Sequence, residues 1–252
     1  MHKNRSFLNK VLAGVMLGVA ICVSLCLAGC NTGSGNLPRV LVIVGGHSYD
    51  TTEFWDMFRS LEDIQFDSVS HPRALEVLGS DAVDGYDVLV FYDFQKGLDE
   101  KDSAIYLNLT EKGMPMVFLH HALGTFQKWE GYSDIVGGII VDRRYTDDST
   151  TVLRYKHDLD LHIQIIKSDH PVTNGLDDFI IRDEGYANVQ IKGGIDPLLG
   201  TNHPDSDPIV GWTNQYKNSS VVTFMLGHDR HAYENESFRK LINNAIHWLS
   251  SR

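Results

Sequence analysis

The chain has 252 residues, with 22 Lys and Arg against 33 Asp and Glu, a net charge of -11. Its hydrophobic share of 42% suits one globular domain of moderate size. The acidic balance, without a basic run beyond the first ten positions, excludes nucleic-acid readers and polybasic membrane binders, which need clustered Lys and Arg. All three cysteines, Cys22, Cys26 and Cys30, precede the rest of the chain, so disulfide scaffolds, cysteine zinc sites and thiol nucleophiles are excluded from the folded part.

Lys3, Arg5 and Lys10 open the chain, and Val11–Ala28 is almost unbroken apolar sequence. This is the pattern of a secretory signal, expected over residues 1–29. It ends in Leu27-Ala28-Gly29-Cys30, which resembles a bacterial lipobox with Cys30 as the lipidated residue. An uncleaved anchor is the competing reading. The Gly/Ser/Asn-rich segment that follows reads as a flexible tether over residues 30–37. The expectation is therefore an acidic domain, residues 38–252, held by lipid to a bacterial membrane in the cell envelope, outside the cytoplasm.

Arg39–Val44 is a short apolar run without polar alternation, as a strand buried on both faces requires. Gly45-Gly46-His47 forms a tight loop, and Asp50 with Glu53 has the spacing of a capping pair. Phe54, Met57, Phe58 and Leu61 then recur at helical spacing. Tyr86–Tyr92 and Pro115–Leu119 read as further buried strands, with a helix over about 99–112 between them. From Thr151 the texture alternates: Leu153, Tyr155, His157, Leu159, Leu161 and Ile163 share one parity, predicting a half-buried strand or hairpin. Phe179–Ile181, Pro208–Trp212 and Val221–Leu226 supply later strands, and a helix over about 236–249 closes the chain. The alternation predicts an α/β fold, an open parallel sheet wrapped by helices with an inserted or edge β segment.

In such sheets ligands bind beyond the carboxyl ends of the strands. Those ends carry Gly45, Gly46 and His47, then Asp93, then His120 and His121. The later ones carry Asp183, Glu184 and Tyr186, a turn with His203, and Gly227-His228-Asp229. Histidines and carboxylates suit proton transfer near neutral pH. Gly45 and Gly46 either permit a turn or let a ligand approach the backbone. His120 and His121 project to opposite sides of an extended chain, so one faces the cleft and the other is a hydrogen-bonded core histidine. His157, on the apolar parity, reads as structural, and His170-Pro171 reads as a turn. No G-x-S-x-G, H-E-x-x-H, P-loop or G-x-G-x-x-G is present. No metal is assigned and no cofactor is required; a divalent metal stays open, with His47, His121 and His228 as its candidate ligands.

Gly45–Asp50 (GGHSYD), PMVFLHHAL with the following Trp129 and Gly137-Gly138, SDHPVTNGLDDFIIRDEGY, and TFMLGHD with FRKLINNAIHWL resemble the ThuA-like (trehalose utilisation) family over residues 38–252. The resemblance implies a flavodoxin-like, class I glutamine amidotransferase-like fold. Amidotransferases carry a cysteine at the strand–turn–helix elbow and a His-Pro-Glu segment later. Here those regions read His120-His121-Ala122 and Gly227-His228-Asp229, so amidotransferase chemistry is not implied. What is implied is a small carbohydrate, a disaccharide or 3-keto-glycoside, as substrate. The expected roles are acid/base action by His228 with Asp229 orienting it, joined by His121 and Glu184. Gly45, Gly46, His47, Asp93, His120, Trp129, Tyr186 and His203 are expected to contact substrate. The competing readings are a sugar-binding lipoprotein without turnover, stacking glycan on Trp129, Tyr132, Tyr186 and Trp212, and a metal-dependent hydrolase.

Overall fold

Val40–Val44 have no polar face to offer water, and in the computed structural model they form the buried centre of β1 (Arg39–Gly45). The structure describes residues 37–252; the expected signal segment, Cys30 and the expected tether up to residue 36 lie outside the described residues. Among the described residues, no helix is long and apolar enough to cross a membrane.

In chain order, α1 (Thr51–Arg59), β2 (Gln65–Ser70) and α2 (Arg73–Leu78) follow β1. Then come β3 (Val88–Asp93), α3 (Glu100–Lys112), β4 (Met116–Leu119), α4 (Glu130–Val136) and the two-residue β5 (Gly138–Ile139). The second half holds β6 (Arg154–Ile165), β7 (Phe179–Ala187), β8 (Gln190–Ile191), β9 (Asp196–Thr201), β10 (Ile209–Tyr216) and β11 (Ser219–Phe224). It closes with α5 (Arg230–Tyr233) and α6 (Glu236–Ser250).

Nine strands form one sheet in the order β2-β1-β3-β4-β11-β10-β9-β6-β7, and β5 pairs with β8 in a separate ribbon. Neighbours from β2 to β11 are parallel, and those from β11 to β7 are antiparallel. Every residue of β3, β4 and β11 is buried, because helices cover both faces of that half. The helix α6 lays Phe238, Leu241, Ile242, Ala245, Ile246 and Leu249 into the core, as its spacing predicts. The expected edge β segment exists and is large: β6, β7, β9 and β10 extend the main sheet.

Several local expectations change. Asp50 does not cap α1; its Oδ2 instead accepts the Arg230 backbone N–H at 3.0 Å. Asp183, Glu184 and Tyr186 lie within β7 rather than past its end. The strands β2 and β9 have weak signatures in the sequence, since β2 is an edge strand with no fully buried residue. In β6 the alternation holds for buried Leu159, Leu161 and Ile163, but the register against β7 shifts between Lys156 and Leu159. Asp158 there adopts φ +59. A bulge of this kind re-aims the residues on its far side, and it turns Tyr155 and His157 outward.

Candidate active site

The parallel strands β1, β3, β4 and β11 deliver their carboxyl ends to one rim, where a cleft of about 700 Å³ opens. Its floor begins at the end of β4. His120 takes φ +41, unusual for a residue with a side chain, and starts a tight turn through Gly124. That makes it the elbow residue of the fold. Its ring is fully buried, and Nδ1 lies 2.6 Å from the Met225 carbonyl oxygen. A carbonyl only accepts, so Nδ1 carries a hydrogen. His120 Nε2 faces three groups: the Tyr186 hydroxyl at 2.7 Å, Glu184 Oε2 at 3.0 Å and His228 Nδ1 at 3.1 Å.

Glu184 is the hub. Its Oε2 is also 3.3 Å from His228 Nδ1, and its Oε1 is 3.0 Å from His157 Nδ1. Burial, the largest influence, pushes its carboxyl up, but His120, His228 and His157 together hold it below its ordinary range. The imidazole of His228 is lowered to about 4, first by burial and then by His120. Burial, then the neighbouring Glu184 carboxylate, holds the Tyr186 phenol well above its ordinary value, so it remains a donor.

Asp183, buried beneath the cluster, fixes the loop that presents His228. It accepts the backbone N–H of Gly227 at 2.7 Å and that of His228 at 2.9 Å. Gly227 needs its freedom here, at φ +111. Beside the cluster, with its ring centroid 5.5 Å from that of His228, His121 stacks on His47 with ring centroids 3.8 Å apart. Burial drives the His121 imidazole well below its ordinary value, reinforced by His120. His47 Nδ1 sits 2.6 Å from the Ser48 carbonyl oxygen, which assigns the hydrogen to Nδ1 and leaves Nε2 an acceptor.

Of the residues expected at the site, Gly46, His47, His121, Glu184, Tyr186, His228 and Asp229 line this cleft, with His120 directly behind. Of the two adjacent histidines, His121 lines the cleft, while His120, expected to contact substrate, is fully buried behind it. Four expected contacts lie elsewhere. Asp93 is fully buried and pairs with His71 Nε2 at 3.0 Å, because β2 ends beside β3 across β1. Gly45, at φ +120, packs its Cα face against Ser70 and His71. Trp129 lines a neighbouring hollow of about 570 Å³ with Lys96 and Tyr145. His203 belongs to a turn, where its Nδ1 accepts the Asp205 N–H at 3.2 Å.

Asp229 lines the cleft without orienting His228. Its Oδ1 accepts the His231 N–H at 2.8 Å and caps α5, so Glu184 and Asp183 perform the orienting. Trp212 and Tyr132 are core residues whose polar ends donate to the Val136 and Ala122 carbonyls. His157, read as structural, is a site residue: its side chain is 52% exposed and points into the cleft beside Tyr155. Only the bulge distinguishes it from a core position, and the bulge leaves no clear mark in the sequence. Among the described residues, His120 with His121 and His228, and His157 with Glu184 and His228, could each hold a metal ion, and the donor atoms of His120, Glu184 and His228 lie 3.0, 3.1 and 3.3 Å apart between them. His47, a candidate ligand by sequence, belongs to none of these groups.

The sheet order defines an α/β fold of the glutamine amidotransferase-like kind, with His120 at the tight turn after β4. The chain belongs to the ThuA (trehalose utilisation) family, whose model matches residues 39–249. A protein described as ThuA-like from Parabacteroides merdae ATCC 43184 is 18% identical, with a TM-score of 0.70 over 85% of this chain and 90% of that one. Another described as ThuA-like, from Bacteroides uniformis ATCC 8492, is 15% identical at TM-score 0.63, covering 85% and 93%. The structure of PurLQS from Thermotoga maritima shares the fold at 15% identity and TM-score 0.53, over 84% of this chain and 99% of that one. No curated protein sequence matches the chain.

Proposed function

We propose that the chain is a carbohydrate-active enzyme of the cell envelope that works beside a carbonyl group of an oxidised disaccharide. The observation that carries this reading is one cleft lined by both His47 and the Glu184–His228 pair. His228, as the tautomer with its hydrogen on Nε2, can donate to a developing oxyanion, while His47 Nε2 is left as an acceptor by the Ser48 contact. The family's association with trehalose utilisation supports a sugar as the ligand. A 3-keto-glycoside suits these groups because its carbonyl acidifies the neighbouring C–H bond. His47 Nε2 takes that proton, and the electron pair moves onto the carbonyl oxygen, which accepts the His228 Nε2–H. The pair then returns to expel the glycosidic oxygen, which receives the proton from the His47 imidazolium. Asp229 and Tyr155, on the rim, are placed to meet hydroxyl groups. Anchoring through a lipid on Cys30 is part of the same proposal and rests on the Leu27–Cys30 sequence.

The test is turnover of a panel of disaccharides and their 3-keto derivatives. The expected result is consumption of keto sugars, with His47→Ala slower by ~100- to 10,000-fold at an unchanged melting temperature. Saturable sugar binding without turnover would make the protein a binding module. Equal rates for His47→Ala and wild type would remove His47 as the base.

A further inference from the structure

We propose that the floor of the cleft is a binding site for a divalent first-row cation of the zinc type, held by His120 Nε2, Glu184 Oε2 and His228 Nδ1. The argument starts from hydrogen positions. Because His120 Nδ1 donates to the Met225 carbonyl at 2.6 Å, the neutral ring presents a lone pair at Nε2. That lone pair faces a carboxylate oxygen at 3.0 Å and a second imidazole nitrogen at 3.1 Å. The Tyr186 hydroxyl, or a hydrogen on His228 Nδ1, relieves contacts of its own but leaves the 3.0 Å approach of His120 Nε2 to Glu184 Oε2 as lone pair against lone pair. A single proton on His120 could point at one acceptor, whereas one cation satisfies all three at once.

The spacing fits the same conclusion. The three donor atoms are 3.0, 3.1 and 3.3 Å apart. Ligands about 2.0–2.2 Å from a common ion are separated by roughly 3.0 Å in octahedral and 3.4 Å in tetrahedral arrangement. Two imidazoles and one carboxylate are a donor set that suits zinc and similar ions. An outer layer is also present. The Nδ1–H to carbonyl bond of His120 fixes its tautomer, and Asp183 holds the backbone of His228 through a 2.9 Å bond. His157 steadies the other Glu184 oxygen from 3.0 Å. The side chain of His228 is 19% exposed and that of Glu184 5%, so the ion's remaining position opens into the cleft. A sugar oxygen bound there would be polarised by the ion. That role rests on the functional reading above; the binding of the ion does not.

The experiment uses the full chain, without a histidine tag, stripped by chelator and titrated calorimetrically with Zn²⁺ in the absence of sugar. The expected result is one tight site, weakened at least ~100-fold by His228→Ala and by Glu184→Gln. X-ray absorption on the zinc-loaded wild type needs no variant and should count two imidazole ligands and a carboxylate oxygen. No binding, unaltered affinity in folded variants, or fewer than two imidazoles would overturn the site. The two readings fail separately: zinc bound as described without keto-sugar turnover sinks the function alone. Turnover in stripped protein that takes up no zinc sinks the cation site alone.

Discussion

Asp183 and His228, on β7 and just beyond β11, are joined by a 2.9 Å bond from the His228 backbone N–H to Asp183 Oδ1. The other carboxylate oxygen takes the Gly227 N–H at 2.7 Å, and Oδ1 also accepts the Glu184 N–H at 2.8 Å. One buried carboxylate thus aims both Glu184 and His228. Asp183→Ala leaves three N–H groups without this acceptor in a dry site. We expect a loss of about 3–5 kcal/mol in denaturant unfolding. A loss below ~1 kcal/mol would mean that the loop finds other acceptors.

Val117 is wholly buried in β4, with Val90 of β3 on one side and Val222 of β11 on the other. Val117→Asp places an unpartnered charge between those strands, costing several kcal/mol, comparable to the stability of a domain. Loss of the cooperative thermal transition is expected. A near-native midpoint would contradict the central position of β4.

Gly46 sits at φ +84, and a Cβ there would lie 2.0 Å from the Phe94 carbonyl oxygen. Backbone cannot yield as a side chain can, so Gly46→Ala must displace the loop that carries His47. Keto-sugar turnover should fall at least ~10-fold, through the loss of positioning rather than of any reacting group. A crystal structure of the variant with His47 still stacked on His121 would refute this account.

His170 lies away from the cleft. Its Nδ1 accepts the Val172 N–H at 3.2 Å, and its ring meets Trp248 edge-on at 4.7 Å. Its imidazole is held below 6.5, first by burial and then by Lys167, so the folded protein prefers the neutral ring. The sign follows: this stability is present above the unfolded value near 6.5 and is lost as pH falls through the lower folded value. His170→Asn keeps an acceptor without a titrating group. Its unfolding free energy should therefore fall less than that of wild type on acidification from neutrality. Parallel curves for the two proteins would remove His170 from the acid response.

Cys30 follows Leu27-Ala28-Gly29, and Cys30→Ser removes the thiol that would take the lipid. The variant should leave the membrane fraction or migrate as the uncleaved form. Identical fractionation and mobility of variant and wild type would refute lipid anchoring.

The strands β1, β3, β4 and β11 are legible as sequence because an unbroken apolar run suits only a strand buried on both faces. The ends of β1, β4 and β11 are legible too, since glycine or histidine follows each run where the chain must turn. That is enough to place His47, His121 and His228 at one rim. Which groups touch there is a matter of long-range packing. The β7 strand stands at the far edge of the sheet order from β2, yet its Glu184 reaches the elbow at the end of β4. No local spacing encodes that return. Nor does any encode the bulge that turns His157 into the cleft or the ending of β2 that buries Asp93 against His71. Local sequence sets which segments can be strands and where they stop, because burial and turn geometry act over a few residues. The partners of each side chain come from segments far apart in the chain, and only the tertiary structure decides them.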